Sequence, residues 1–458
     1  MQVPAKEMSE SPVAVCIIVE NLPVPADRRV WQEARALTEA GYHVSIICPK
    51  GRGFERSRET LAGIEVYRHG IWEASGALGY LVEYGWALVA EFVLALRIYI
   101  RTHFRILQAC NPPDTIFLIA FFFKLLGVRF IFDHHDPAPE LYQARFLRRG
   151  LLHWLISLAE RLTFRTADLT IATNDSIKEI ALVRGGVSPD RSFVVRGCPD
   201  LDEFRPRGPR PELKEGRRHL VVYVGVMGPQ DGVDLLLDSI EYLVKKKGRH
   251  DTLFVLIGQG TELPPLKARA TERDLDNCVK FTGPLYGDDL LAYLATADVG
   301  VAPDPYNDLN DKLTMIKIFE YMAFELPVVL YDLTEGRRSA GGAAIYARAN
   351  DTIDFGDQIA KLLDSPSLRR GLGAIGRNRI RGSLNWDFQK QMFLKAYQTA
   401  LCARVQSANG NQVLSEQHSF PVPEPAMELV DRRLGSRDQY RCSANARLPQ
   451  ALQRLFHL

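Results

Sequence analysis

The sequence predicts an α/β protein with two parallel-sheet, Rossmann-like domains facing each other across a cleft, and three observations carry that prediction. Short apolar runs alternate with helix-period stretches twice, once from residue 13 and again after residue 215. Between the two sets lies a Pro/Arg-rich segment, FRPRGPRPELKEGRR at 204–218, with the composition of an exposed linker. The chain has 458 residues, 46% hydrophobic and 24% charged, enough for more than one globular domain.

The elements follow in order. Residues 13–20 (VAVCIIVE) form an apolar run suited to a strand buried on both faces. A proline-bearing loop at 21–29, a helical pattern over 30–40 stopped by Gly41, and a second strand at 43–48 complete a strand–helix–strand unit. In the second half, 220–224 is a strand and 225–232 a glycine-bearing loop. A helix at 233–247 then leads to a strand at 252–257 that ends in Gly258-Gln-Gly260. Further strands are expected at 279–282, 299–302 and 327–331. The divisions expected are a flexible N-terminus at 1–12, an N-terminal domain at 13–204, a linker at 205–218 and a C-terminal domain at 219–384. A helix at 385–404 is expected to return toward the N-terminal domain, and a disordered tail to occupy 405–458.

Charge and cysteine content exclude several classes. Lys and Arg total 57 against 55 Asp and Glu, so nothing points to nucleic acid as a partner. The seven cysteines are scattered without a Cys-x-x-Cys, which argues against a disulfide or zinc framework and fits a reducing cytosol. Residues 1–12 lack a basic region followed by an apolar one, so no secretory signal is read and a cytoplasmic location is expected.

Several constellations could carry chemistry. A helix starting near Thr314 places Thr314, Lys317 and Glu320 on one face, with Ile316, Phe319 and Ala323 on an apolar one. A lysine at a helix start suits a diphosphate, and a Glu one turn on can accept ribose hydroxyls. The alternative is an exposed ion pair on a surface helix. Gly225, Gly228 and Gly232 follow a strand and precede a helix without a dinucleotide or Walker pattern, so phosphate approach and plain turn chemistry both stay open. In Asp133-His134-His135-Asp136 strand alternation prevents four ligands from meeting one ion, and no other His/Cys cluster completes a site. The triplets Asp200-Leu-Asp202 and Asp274-Leu-Asp276 are matches expected by chance; no metal is expected, and activity should survive chelation. Residues 97–165 hold ten Lys/Arg against five acids beside apolar stretches that charges interrupt. Docking on an anionic membrane and a buried helix with a solvated arginine row both remain open.

Taken together, Gly258-Gln-Gly260, VKFTG at 279–283, Ala297-Asp298, KIFEYMA at 317–323 and PVV at 327–329 resemble the donor-binding domain of family 4 (group 1) glycosyltransferases, polysaccharide-type branch. Asp27-Arg28-Arg29, GYHV at 41–44, FDHHD at 132–136 with Pro139-Glu140, and Ala167-Asp168 extend the resemblance to residues 13–404. It implies a GT-B fold and a retaining, hexosyltransferase-type transfer from a nucleotide sugar, UDP- or GDP-linked, without a cofactor. The acceptor would be a glycan or lipid-linked molecule in surface polysaccharide or glycolipid assembly, at the inner face of the plasma membrane. The catalytic residues implied are His134, Lys317 and Glu320, with His134 preferred narrowly over His135. Donor binding falls to Gly225, Gly228, Gly258, Gly260, Lys312, Thr314, Met315 and Ile316, and the acceptor side to Asp27, Arg28, Arg29, His135 and Asp136. Three departures stand out. The first Glu of the family's Glu-x7-Glu motif falls at Lys312, its diphosphate-holding Arg and Lys fall at Val226 and Asp231, and its Asn-Gly appears as Cys198-Pro199. They leave a non-catalytic GT-B subunit open, and a nucleotide-sugar epimerase of similar fold beside it.

Overall fold

A computed structural model describes residues 12–70, 77–146, 150–205 and 208–408. The expected flexible N-terminus up to residue 11, and the tail from residue 409, lie outside the described residues. The N-terminal half runs β1 (Ala14–Ile18), α1 (Arg28–Glu39), β2 (His43–Pro49), β3 (Arg58–Leu61), β4 (Ile64–His69), α2 (Ala77–Thr102), β5 (Ile106–Cys110), α3 (Phe117–Leu125), β6 (Arg129–His134), α4 (Ala138–Phe146), α5 (Leu151–Thr166), β7 (Leu169–Ala172), α6 (Asp175–Val183) and β8 (Ser192–Val194). Its sheet has the order β3-β4-β2-β1-β5-β6-β7-β8, with only β3 and β4 antiparallel.

The C-terminal half runs β9 (His219–Val224), α7 (Val233–Lys245), β10 (Thr252–Ile257), α8 (Leu263–Glu272), β11 (Val279–Gly283), α9 (Gly287–Thr296), β12 (Val299–Ala302), α10 (Ile316–Ala323), β13 (Val328–Tyr331), α11 (Thr334–Ala340), β14 (Ala344–Ala347), α12 (Thr352–Asp364), α13 (Pro366–Gly382) and α14 (Trp386–Ala408). Its six strands are parallel in the order β11-β10-β9-β12-β13-β14. Strand order reverses between β1 and β5 in one sheet and between β9 and β12 in the other. In open α/β sheets ligands settle beyond the strand C-termini at such reversals.

The strands are continuous apolar runs because helices cover both faces. In β1, Val15 and Ile17 pack into one core while Cys16 and Ile18 pack into another on the opposite face. Helix α1 starts at Arg28, two residues earlier than its hydrophobic period predicts, because Asp27 caps it: its Oδ1 accepts from Val30 N at 3.0 Å.

The segment read as an exposed linker is pinned to the C-terminal domain. Leu213 packs on that core, Arg210 N donates to Thr296 Oγ1, and Lys214 pairs with Asp298 at 2.7 Å. The chain crosses earlier: Val195 is buried in an N-terminal core and Cys198 in a C-terminal one. It crosses back after Leu384, and from Trp386 onward α14 lies on the N-terminal sheet, burying Phe393, Ala396 and Tyr397 beside Val15 and Ile17. Helix α14 continues to Ala408, so residues 405–408 are helical and not part of a tail. The two crossings touch: Trp386 N donates to Pro199 O, and Arg196 N to Gln389 Oε1.

Candidate functional site

The C-terminal half of the site is built on α10. Its apolar side, Ile318, Phe319, Tyr321 and Met322, is fully buried. Tyr321 OH accepts from Val224 N at 2.9 Å and donates to Val301 O at 3.1 Å, which locks the helix to β9 and β12 at the strand reversal. Gly300 makes room for that ring, since a Cβ there would lie 2.5 Å from it. The helix begins at Ile316, not Thr314, and no side chain caps its first turn, so its leading N–H groups can meet an anion.

Lys317 is buried, with Nζ 2.9 and 3.1 Å from the two oxygens of Asp304 and 4.9 Å from the centre of the Tyr223 ring. Burial works against its charge, yet Asp304 and Asp231 outweigh it and its pKa is raised. Asp231 is pushed up to about 6, mainly by burial and with Asp304 adding to it, while Lys317 pulls the other way. Glu320 is also buried, its pKa raised by burial against the pull of Arg28 and Lys317. Its Oε1 lies 3.5 Å from Arg28 Nη1, across the cleft. The surface-pair alternative is thereby corrected, because Lys317 bonds Asp304 and Glu320 faces the other domain.

The glycines have a different task from the one expected. Gly225 N donates to Ile257 O, Gly228 N to Asp231 Oδ2 and Gly258 N to Gly283 O, so these groups are already engaged. What the sequence needs there is closeness: a Cβ on Gly258 would sit 1.8 Å from Gly225 O, and one on Gly260 2.3 Å from Met227 O. A Cβ on Gly225 would crowd Lys317 Cε at 3.1 Å. These glycines wedge two loops together under Lys317.

In the N-terminal half, β6 turns its side chains alternately to two faces. Phe132 and His134 go to one: His134 is fully buried, stacked on Phe132 at 5.2 Å and edge-on to Phe164, with neither ring nitrogen hydrogen-bonded. Burial pushes its pKa down to about 3. The preference for His134 as the cleft histidine is therefore corrected. Asp133 and His135 go to the other face, where His135 is partly accessible and its Nε2 lies 3.0 Å from Asp133 Oδ2. Burial opposes the imidazolium, but Asp133 wins and the pKa of His135 is raised.

Arg29 fills the same corner. It donates to Val195 O at 2.8 Å and Asp133 Oδ1 at 3.0 Å, and lies 3.1 Å from Glu33 Oε1. Gln108 joins Glu33 and Asp133 at 2.7 and 3.0 Å and receives Tyr397 OH from α14. Cys110, Asp133 and His135 also converge, but the Arg29 guanidinium occupies their surroundings, which disfavours a cation. Asp27 is used as the cap of α1, and the backbone O of Asp136 accepts from Asn111 Nδ2.

The domains also meet along one edge. Asn174 Nδ2 donates to Lys312 O at 2.8 Å and Thr314 Oγ1 at 3.1 Å, while Lys312 Nζ reaches Asp308 O. Glu335, fully buried, accepts from Ser176 N and Oγ at the start of α6. Ile316 leans on Gly197 at the first crossing. Asp304, Asn174 and Glu335 have no local signal. Only the position of Asp304 directly after β12, at the strand reversal, could have marked it. In the two Asp-x-Asp triplets, Asp202 pairs with Arg205 and Asp276 accepts from Thr271.

The chain matches the Glycosyltransferase Family 4 domain over residues 26–203 and the Glycosyl transferases group 1 domain over 218–365. It is 26% identical over 230 residues to the sulfoquinovosyl transferase of Arabidopsis thaliana, covering 49% of this chain and 42% of that one. It is 26% identical over 199 residues to a GDP-mannose-dependent phosphatidylinositol monomannoside mannosyltransferase of Mycobacterium tuberculosis, covering 41% and 51%. The chain thus spans about half the length of these two relatives. Sucrose-phosphate synthase of Thermosynechococcus elongatus superposes with a TM-score of 0.70 at 17% identity, over 85% of this chain and 100% of that one, a likeness of fold. With both domain matches in register on two facing parallel sheets, the chain belongs to the family 4, group 1 glycosyltransferases and has their GT-B fold.

Proposed function

We propose that the protein is a retaining glycosyltransferase that moves a hexose from a nucleotide diphosphate to a glycan or lipid-linked acceptor. One observation carries this most: a buried lysine and an uncapped helix start lie at the strand reversal of the donor-side sheet, with a buried Glu one turn on facing Arg28. As the bond to the anomeric carbon loosens, negative charge grows on the diphosphate. Lys317 and the leading N–H groups of α10 stabilise it, an electrostatic contribution that strengthens in the transition state. Glu320 accepts hydroxyls of the donor. His135, held by Asp133, is the histidine of its pair that a substrate can reach.

The donor being UDP- or GDP-linked rests on the family, and the mycobacterial relative is named for GDP-mannose and a phosphatidylinositol monomannoside. Among the described residues no helix is long and apolar enough to cross a membrane. Helices α2, α3 and α5 nevertheless expose Val93, Leu118, Phe121, Leu125, Trp154 and Leu155, with Arg97 and Arg161 also at the surface. This supports docking of the N-terminal domain on an anionic membrane that carries the acceptor.

A second function, a GT-B subunit that binds without turnover, is favoured by Asp304 and Asp231 beside Lys317, since two carboxylates oppose a diphosphate. The deciding experiment incubates the protein with UDP- and GDP-sugars and anionic vesicles. Release of nucleotide above background supports the transferase, whereas binding seen by thermal shift with no release selects the subunit.

A further inference from the structure

We infer that Glu20, His69 and Glu91 form a site for one divalent cation of the zinc class, fastening α2 to the ends of β1 and β4. The three are far apart in sequence, and nothing in their spacing signals a metal. The fold brings one ligand atom from each within 4.8 Å of the others. His69 Nε2 and Glu20 Oε2 are 3.3 Å apart. Oxygen and nitrogen ligands roughly 2.0–2.2 Å from a zinc ion lie at just such separations from one another.

The hydrogen bonding of His69 carries the inference. Its Nδ1 lies 3.3 Å from Gly70 O, and a carbonyl can only accept, so the ring proton sits on Nδ1. In the neutral ring Nε2 is then an acceptor facing a carboxylate oxygen, acceptor against acceptor. His69 Nε2, Glu20 Oε2 and Glu91 Oε1 are all buried without a hydrogen-bond partner. His69 is 6% exposed and Glu91 1%. Three convergent acceptors need either a shared proton or a cation between them, and a divalent ion satisfies all three while neutralising both carboxylates. The bond from Nδ1 to a backbone carbonyl is the usual outer support of a metal-bound histidine.

Three protein ligands leave room for water in the coordination sphere. The location is structural: Glu20 lies just past β1 in the loop that ends at Asp27, the cap of α1, and α2 presents exposed apolar side chains.

The test uses untagged full-length protein, stripped with chelator and then given Zn²⁺ alone. About one zinc per chain should be retained through gel filtration, and Tm should rise by at least ~3 °C at a large excess over Kd. Glu91→Gln keeps the shape of a protonated carboxyl, so this variant should melt like the stripped wild type while losing the retained zinc and the Tm response. Cys110→Ser should keep both. The inference is overturned if the stripped and zinc-treated proteins melt together, which would place a shared proton among these groups. Retention of zinc by Glu91→Gln, or its loss in Cys110→Ser, overturns it equally.

Discussion

Each half of the cleft buries one cation between two carboxylates, and the two arrangements differ in what is left over. Arg29 is fully engaged: Asp133, Glu33 and Val195 O surround it, and Gln108 passes the network to Tyr397 on α14. It holds together α1, β5, β6, the segment after β8 and helix α14. Lys317 is hydrogen-bonded by Asp304, with the charge of Asp231 nearby, over a tyrosine ring and beside uncapped helix N–H groups. The planar guanidinium suits a fixed multi-point frame, whereas an ammonium on a flexible stem can exchange one oxygen for another. The N-terminal cation is therefore expected to govern stability and the C-terminal one turnover.

The largest effect should come from Arg29→Met. It leaves buried Asp133 and Glu33 without their guanidinium, with only Gln108 and, for Asp133, His135 still bonding them, at a cost of about 3–5 kcal/mol in urea denaturation. A variant that denatures like the wild type but turns over slowly would reverse the assignment. Lys317 needs a paired change, because its loss alone would strand Asp304, which is 1% exposed. In the double variant Lys317→Met/Asp304→Asn, Tm should stay near wild type while kcat/KM falls by about 2–4 kcal/mol of transition-state stabilisation. Unchanged kinetics in a folded double variant would remove Lys317 from the site.

Glu320→Gln should be milder. Its pKa is already raised by burial, so the neutral amide is tolerated, and a rise of about tenfold in donor KM is expected, or ~1.4 kcal/mol. The smallest effect belongs to Asp231→Asn. Above pH 6 Asp231 is ionised and repels a diphosphate, so the variant should bind donor a few-fold more tightly at pH 8 and equally at pH 5. Stability follows the same sign. A carboxyl whose folded pKa is raised from 3.8 to about 6 favours the folded state below that interval and loses this as pH climbs through it. The Asn variant should accordingly be the more stable at pH 8, with the advantage vanishing near pH 4 in urea titrations.

The strand and helix rhythm was legible because burial on both faces writes itself as apolar runs, as in β1 and β9. Local chemistry at strand ends was not. Whether His134 or His135 reaches the cleft depends on which face of β6 meets α5, and both residues look alike in sequence. The start of α10 was misplaced by two residues because Thr314 resembles a cap but is engaged by Asn174. Asp304 is thirteen residues before Lys317 and joins it only through the fold. The glycines were visible, but a glycine needed for closeness and one needed for an open N–H read the same. Proline and arginine content reported the exposure of most of the 208–218 segment, but not that Leu213 and Lys214 fasten it to the C-terminal domain.

The return of α14 has a consequence for how the protein comes off the ribosome. The core around Val15 and Ile17 lacks Trp386, Phe393, Ala396 and Tyr397 until the whole of the second domain has been translated. Residues 219–382 carry their own sheet and cores, and can close while the earlier half still waits. Domains usually mature in the order in which they are translated. Here the order is inverted: of these two domains, the one translated earlier is the one completed later, and its apolar strands lack that cover in the interval.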